Sequence, residues 1–146
     1  MKIVVASDHG GFDLKESIRL YLRDLGHEVL DQGCFDHRSV DYPDYGALAA
    51  NKVLEEDCLG IIFCGTGIGI SLAANKIRGI RAALCHEEYS ASMARRHNNA
   101  NILALGGRTI GIDLAKSIVD AFLQAEFEGG RHQRRVDKIL KLEEGR

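Results

Sequence analysis

Residues 59–71 read LGIIFCGTGIGIS, and this stretch gives the clearest indication of the fold. Its first six residues form an apolar run without polar alternation, which is typical of a strand buried on both faces of a parallel sheet. Three glycines within the next five residues let the backbone turn tightly and approach a ligand. A helix then follows, with its positive N-terminal end directed at the same loop. The stretch therefore predicts a strand, a glycine loop and a helix of an α/β protein.

The same alternation extends in both directions from this unit. An apolar strand at 3–6 precedes Leu14, Ile18, Leu22 and Leu25, whose spacing lines one face of a helix. The other predicted elements are strands at 28–30, 80–85 and 102–105, a helix beginning near Pro43, and helices at 89–96, 110–123 and 136–142. Such alternation predicts a sheet covered by helices on both faces. We therefore expect a single domain, residues 1–146, with a three-layer, doubly wound α/β architecture and a five-stranded, mostly parallel sheet.

The composition limits the possible partners. The 146 residues include 19 Lys and Arg and 21 Asp and Glu, a formal net charge of −2. A nucleic-acid-binding protein normally carries a basic excess, so no nucleic-acid partner is expected.

The apolar stretch at 3–6 soon meets Asp8, unlike a signal peptide, and no apolar run reaches the roughly 18 residues of a membrane span. We expect no membrane partner, and a cytoplasmic protein whose four cysteines, none in a CxxC pair, stay reduced.

Ligands of open α/β sheets bind beyond the carboxyl ends of the strands, so the residues after each strand are candidates for a site. The first predicted strand is followed by SDHGG at 7–11. Here Ser7 or Asp8 could simply cap the next helix, or Asp8 and His9 could both face a ligand. The fifth predicted strand is followed by two glycines and Arg108, a flexible turn that carries a cation.

The glycine loop at 65–69 is a candidate anion site, because backbone amides and a helix N-terminus converge on it. It lacks the Lys of a Walker loop, and Ile70 stands where the dinucleotide fingerprint requires a glycine. Cys64 ends the preceding strand beside these amides. It is either a small buried hydrophobe or a thiolate that the amides stabilise. The other cysteines lack this setting and are interpreted as structural: Cys34, Cys58 and Cys85.

Two more segments carry groups suited to catalysis or binding. His97 follows the helix predicted at 89–96, where it either contacts the free carbonyls of the helix end or exchanges protons near neutral pH. Arg131 and Arg135 are four residues apart and share one helix face. They either form a solvated basic surface or grip one phosphate through bidentate bonds.

Together these segments resemble the type B ribose-5-phosphate isomerases, a family that also contains allose- and galactose-6-phosphate isomerases. The resemblance covers essentially the whole chain and rests on residues 7–11 (SDHGG), 41–43 (DYP), 64–71 (CGTGIGIS), 74–76 (ANK), 96–98 (RHN) and 128–133 (EGGRHQ). One branch of this family has a glutamate base two residues after the last loop glycine. Ser71 stands at that position, so the chain is identified as a member of the cysteine branch.

The resemblance implies an aldose–ketose isomerase of the pentose phosphate pathway that acts through an enediolate without a metal or a cofactor. It implies that Cys64 is the general base, that His97 opens the sugar ring, and that Thr66 helps to stabilise the enediolate. The implied substrate-binding residues are Asp8, His9, Tyr42, Gly65, Gly67, Ile68, Gly69, Asn98, Arg108, Arg131 and Arg135. Among these, the arginines contact anionic groups, including the phosphate. The family further implies a homodimer or a dimer of dimers whose active sites are shared between subunits.

Two other functions are compatible with the same residues. An allose-6-phosphate or galactose-6-phosphate isomerase would use the same chemistry in a longer pocket. A non-catalytic sugar-phosphate sensor is possible because many doubly wound domains only bind their ligands. A sensor, however, has no need of both Cys64 and His97.

Overall fold

The computed structural model describes residues 1–145, in which strands and helices alternate. The strands are β1 (Lys2–Ser7), β2 (Glu28–Asp31), β3 (Leu59–Cys64), β4 (Ala82–Leu84) and β5 (Ile102–Gly106). The helices are α1 (Phe12–Asp24), α2 (Tyr42–Glu56), α3 (Ile68–Ala74), α4 (Glu88–Asn98), α5 (Ile112–Gln124) and α6 (Arg131–Glu144), and a short 3₁₀ turn, His9–Gly11, precedes α1. The predicted alternation is confirmed. The start of α6 was misplaced, because this helix begins at Arg131 and not at the first residue of its apolar pattern, Val136.

The five strands form one sheet in the order β2-β1-β3-β5-β4, and every neighbouring pair is parallel. The predicted doubly wound α/β fold is therefore confirmed. All five carboxyl ends lie at one edge of the sheet. The chain passes from β1 to β2 on one side and returns to β3 on the other, so the strand order reverses between β1 and β3. A reversal of this kind opens a crevice at the carboxyl edge, where such folds bind their ligands.

Hydrophobic cores cover both faces of the sheet. Alternate residues of β3 point to opposite faces, as the two-residue period of a strand requires. Ile61 and Phe63 pack with α1, α4 and α5, whereas Ile62 and Cys64 pack with α2 and α3. Each fully buried side chain of this size contributes roughly 1.5–3 kcal/mol to folding. Burial on both faces explains the unbroken apolar run at 59–64.

The helices pack largely through the stripes that the sequence predicts. In α1, Leu14, Ile18 and Leu22 are buried, but Leu25 is half exposed, because α1 ends at Asp24 and Leu25 is its C-cap. Helix α6 buries His132 and Val136. Among the helices of residues 1–145, none has both the length and the hydropathy of a membrane span.

Candidate active site

A pocket of about 440 Å³ opens at the carboxyl edge of the sheet, at the reversal between β1 and β3. We call it the loop pocket, and its lining residues are Asp8, Tyr42, Cys64, Gly65, Thr66, Ile68, Gly69 and Leu72. Seven of these eight residues were predicted as site residues from the sequence. Leu72 was not, because an apolar residue in the short helix α3 gives no chemical signal.

Cys64 lies at the end of β3 with its side chain almost entirely buried. The backbone amide of Gly67 donates a hydrogen bond to its Sγ, and the N···S distance is 3.1 Å. Gly67 holds a φ of +79° as the N-cap of α3, a left-handed conformation that favours glycine. A Cβ there would also lie 2.6 Å from Leu84 Cδ1. The local structure therefore requires glycine at the residue whose amide contacts the thiol.

The remaining thiols lie outside the loop pocket. Burial, with a smaller contribution from the nearby carboxylate of Glu87, raises the pKa of Cys85 to about 11. Burial likewise raises the pKa of Cys58. The Cys34 thiol is buried and donates to the carbonyl of Asp36 at 3.4 Å. All four cysteines are free thiols.

The glycine loop itself is held by short-range hydrogen bonds. The Thr66 Oγ1 accepts from the amide of Ile68 at 3.2 Å, and Ser71 Oγ donates to the carbonyl of Ile68 at 2.7 Å. The Tyr42 ring lies against the loop, since a Cβ on Gly69 would come within 2.7 Å of its Cε1. The Ser71 hydroxyl therefore serves the first turn of α3.

The turn after β1 brings two polar side chains to the same edge. Asp8 caps this turn, because its Oδ1 accepts from the amide of Gly11 at 3.1 Å, and it also lines the loop pocket. Asp8 can therefore both cap the turn and face a ligand in the loop pocket. Nδ1 of His9 accepts from the amide of Val40 at 3.1 Å, which leaves Nε2 as the protonated nitrogen of the neutral ring. Close packing requires Gly11, where a Cβ would lie 2.5 Å from the carbonyl carbon of Phe63.

Arg108 reaches the glycine loop from the end of β5. Its amide donates to the carbonyl of Gly65 at 2.9 Å, and a Cβ on Gly65 would lie 3.4 Å from its guanidinium NH1. The loop pocket therefore has a cation at its border.

His97 lies at the opposite edge of the sheet from Cys64 within one chain. Helix α4 starts after the carboxyl end of β4 and runs back, so its last residues lie near the amino ends of the strands. Hydrogen bonds confirm this placement, because the carbonyl of Asn101, just after α4, accepts from the amide of Gly60 at 2.9 Å. Cys64 lies four positions beyond Gly60 along β3, about 13 Å at 3.3 Å per residue. Because His97 comes after the fourth strand in sequence, it was expected at the carboxyl edge of the sheet. Helix α4 instead places His97 away from that edge.

Three other predicted site residues also lie away from the loop pocket. Asn98 is the last residue of α4, and Arg131 and Arg135 lie in the first turns of α6, all three exposed. None of them lines the loop pocket. The structure thus divides the predicted site residues into two groups within one chain.

His97 belongs to a compact group that we call the histidine cluster: His97, Glu128 and His132. The two imidazole rings stack with centroids 4.1 Å apart and planes 8° apart. Oε1 of Glu128 lies 3.7 Å from His97 Nε2 and 3.6 Å from His132 Nε2. The pKa of Glu128 is lowered, first by a hydrogen bond from Arg96, whose Nε is 2.7 Å from Oε2. Sequence reasoning assigned no role to Glu128 or His132, although both fall in the quoted EGGRHQ segment.

The histidine cluster is the only group of three or more His, Cys, Asp or Glu side chains within residues 1–145 whose ligand atoms come within 4.8 Å of one another. It does not fit a metal ion. A metal lies in the plane of each imidazole that binds it, and two parallel stacked rings cannot both direct a lone pair at one ion. The donors would have to rearrange before they could coordinate.

The fold and the loop pocket define a class of α/β proteins with a pocket between a buried thiol and a glycine loop at the carboxyl edge of a parallel sheet. A family model described as Ribose/Galactose Isomerase matches residues 3–139, and the chain belongs to this family. Ribose-5-phosphate isomerase B of Escherichia coli is 49% identical over 146 residues, which cover 99% of this chain and 98% of the relative. The structure of ribose-5-phosphate isomerase B from Clostridium thermocellum matches with a TM-score of 0.98 and 55% identity over 99% of both chains. That of the Mycoplasma genitalium enzyme with bound ribulose-5-phosphate matches with a TM-score of 0.94 and 45% identity over 99% of this chain and 97% of the other.

Proposed function

We propose that this protein is a ribose-5-phosphate isomerase of the pentose phosphate pathway. It interconverts ribose 5-phosphate and ribulose 5-phosphate through an enediolate. The observation that carries the proposal is the hydrogen bond from the Gly67 amide to Cys64 Sγ inside the loop pocket, in a chain of this family. The four free thiols support a reducing compartment such as the cytoplasm.

Cys64 is the general base of the isomerisation. Its thiolate takes the proton from C2 of the open-chain aldose, the C1–C2 double bond forms, and the carbonyl electron pair moves onto O1. The proton then returns to C1, while the O2 proton moves to O1 and the C2 carbonyl forms. The Gly67 amide supports negative charge on Sγ, and the Thr66 hydroxyl with the loop amides supports charge on the enediolate oxygens. The loop amides and the Thr66 hydroxyl thus stabilise the negative charge of the enediolate without a metal.

His97 opens the sugar ring. It carries the proton of the anomeric hydroxyl to the ring oxygen as the bond between C1 and that oxygen breaks and the aldehyde forms. Imidazole suits this task, because it gains and loses a proton near neutral pH.

The active site is completed by a second copy of the chain, so that the protein is a homodimer or a dimer of dimers. One observation in support is that His97, Asn98, Arg131 and Arg135 lie apart from the loop pocket of their own chain. Another is the apolar surface at the loop pocket, where Ile68 is 50% and Leu72 61% exposed. A partner that covers this surface would bring its own His97 to Cys64. Its exposed Arg131 and Arg135, with Arg108, would hold the phosphate.

Assays of the purified protein with ribose 5-phosphate test the proposed function, with ribulose 5-phosphate formation as the readout. The family description also names galactose, so allose 6-phosphate and galactose 6-phosphate are assayed in parallel. Higher kcat/KM on either hexose phosphate would replace the pentose assignment. Binding of ribose 5-phosphate without turnover, also after addition of divalent cations, would indicate a sensor.

A further inference from the structure

The histidine cluster contains more than the proposed ring-opening residue. Oε1 of Glu128 lies between the Nε2 atoms of two imidazoles, 3.7 Å from that of His97 and 3.6 Å from that of His132. Its other oxygen accepts from Arg96 Nε at 2.7 Å, and the Glu128 amide donates to the Arg96 carbonyl at 3.0 Å. Both side chain and backbone of Glu128 are therefore tied to the last turn of α4, which carries His97.

We propose that Glu128 and His132 are positioning residues for His97 in ring opening, an inference that rests on the proposed function. Glu128 sets which imidazole nitrogen of His97 holds its proton, and His132 sets the orientation of the ring. Neither residue contacts the sugar. They act through His97 alone.

The carboxylate determines the protonated nitrogen of His97. A negative oxygen 3.7 Å from Nε2 favours the proton on that atom. Nδ1 is then the nitrogen that accepts a proton from the anomeric hydroxyl. A carboxylate orients a functional imidazole in a comparable way at metal sites, where its removal typically costs 10- to 100-fold in metal affinity or activity. Because Arg96 holds Oε2, the carboxylate keeps its own orientation.

The second imidazole provides a fixed surface for the first. His132 is only 7% exposed, and its amide donates to the carbonyl of Gly129 at 3.0 Å. Its ring lies parallel to that of His97, with centroids 4.1 Å apart. A buried ring stacked against one face of His97 restricts tilting of the His97 ring toward that side.

The charges around the histidine cluster act on the pKa of His132. Burial, followed by the positive charges of His97 and Arg131, lowers the pKa of His132, and only Glu128 opposes this effect. The charged groups facing the cluster are Arg96 from α4, Glu128 from the connecting segment, and Arg131 and Arg135 from α6. The lowered pKa of His132 therefore disfavours a positive charge on the ring that stacks on His97.

Ring opening can be measured apart from isomerisation in Cys64→Ala protein, which keeps His97. NMR exchange spectroscopy reports how fast the α and β anomers of ribose 5-phosphate interconvert through the open chain. Adding Glu128→Gln or His132→Ala should reduce the enzyme-catalysed rate by about 10- to 100-fold. His132→Phe should retain more of it than His132→Ala, because a flat ring is kept. Glu126→Gln is the matched control, an exposed carboxylate of the same segment, and should leave the rate unchanged.

A second measurement isolates the other step with Cys64 intact. Ribulose 5-phosphate cannot close a furanose ring, because its C5 hydroxyl is esterified. Deuterium exchange at its C1 should therefore change by less than about threefold in Glu128→Gln and His132→Ala, since their effect is on ring opening alone. Equal losses in both measurements, unchanged anomer exchange, or equal rates for His132→Phe and His132→Ala would overturn the inference. If Cys64→Ala protein does not accelerate anomer exchange, ring opening by His97 is overturned. The inference on Glu128 and His132 is then overturned as well. Isomerisation by the unaltered protein tests the proposed function independently.

Discussion

The Gly67 amide and the Cys64 sulfur are joined by a hydrogen bond of 3.1 Å, and the donor residue holds a φ of +79°. The two residues are only three apart in the chain, so one tight turn creates both the contact and the N-cap of α3. The proposed base and the amide that would stabilise its charge are therefore built by the same short stretch of backbone.

Replacement of the thiol should separate chemistry from binding. Cys64→Ala should abolish isomerisation, because proton transfer at C2 requires the sulfur, while the fold and the phosphate affinity stay nearly unchanged. NMR in deuterated water should show no proton exchange at C2. Cys85→Ala is the control, since that thiol lies outside the loop pocket and has a pKa of about 11. Retention of a tenth of normal turnover by Cys64→Ala would show that another group is the base.

A substitution at the donor residue should affect both stability and turnover. In Gly67→Ala, the positive φ costs about 1–3 kcal/mol of unfolding free energy, and the new Cβ would press on Leu84 and the backbone of Leu105. Urea unfolding and kcat measure the two effects. Gly26→Ala is the matched control, with a φ of +91° and no atom within 4 Å of the added Cβ. Gly26→Ala should lose stability but keep its kcat. If its kcat falls as much as that of Gly67→Ala, backbone strain alone explains the loss of activity.

Two inactive variants should complement each other if the site is shared. When Cys64→Ala and His97→Asn chains are unfolded together and refolded, half of the resulting dimers contain both chains. Each mixed dimer has one intact site, so about a quarter of wild-type activity on ribose 5-phosphate should return. Refolding of either variant alone provides the baseline. A mixture no more active than the two baselines would place the whole site in one chain.

Phosphate binding by α6 predicts substrate-dependent losses. Arg131 and Arg135 lie one helical turn apart and are both exposed. Each charge-assisted bond contributes about 1.5–3 kcal/mol, so Ala at either position should lower kcat/KM by roughly 10- to 150-fold. Arg134→Ala, about 100° around the helix from Arg135, should matter less. Free ribose is the control substrate, and equal losses on ribose and ribose 5-phosphate would mean that the arginines are structural.

The buried imidazole of α6 predicts a pH dependence of stability. Because burial lowers the pKa of His132, the unfolded chain binds a proton at a higher pH than the folded chain. The free energy of unfolding should therefore decrease as the pH falls through the ordinary imidazole value of about 6.5. His132→Phe should weaken this decrease between about pH 7 and 5. Burial also lowers the pKa of His27, so both proteins are compared in a His27→Gln background. Identical slopes would contradict the prediction.

The elements of the fold and one half of the proposed site could be predicted from the amino-acid sequence. Apolar runs at 3–6 and 59–64 specify strands buried on both faces, because no polar residue interrupts them. The loop pocket could also be predicted, since Cys64, Thr66 and the loop glycines are contiguous and the carboxyl ends of parallel strands share one edge. Local spacing likewise placed Arg131 and Arg135 on one helix.

The arrangement of the other half of the proposed site depends on how distant elements pack in the folded chain. His97 follows β4 in sequence, but α4 runs back along the sheet and ends at the opposite edge from Cys64. The stack of His97 on His132 joins residues 35 positions apart by the packing of α6 on α4. No periodicity encodes such a contact, because it depends on how two helices meet and not on the pattern of either one.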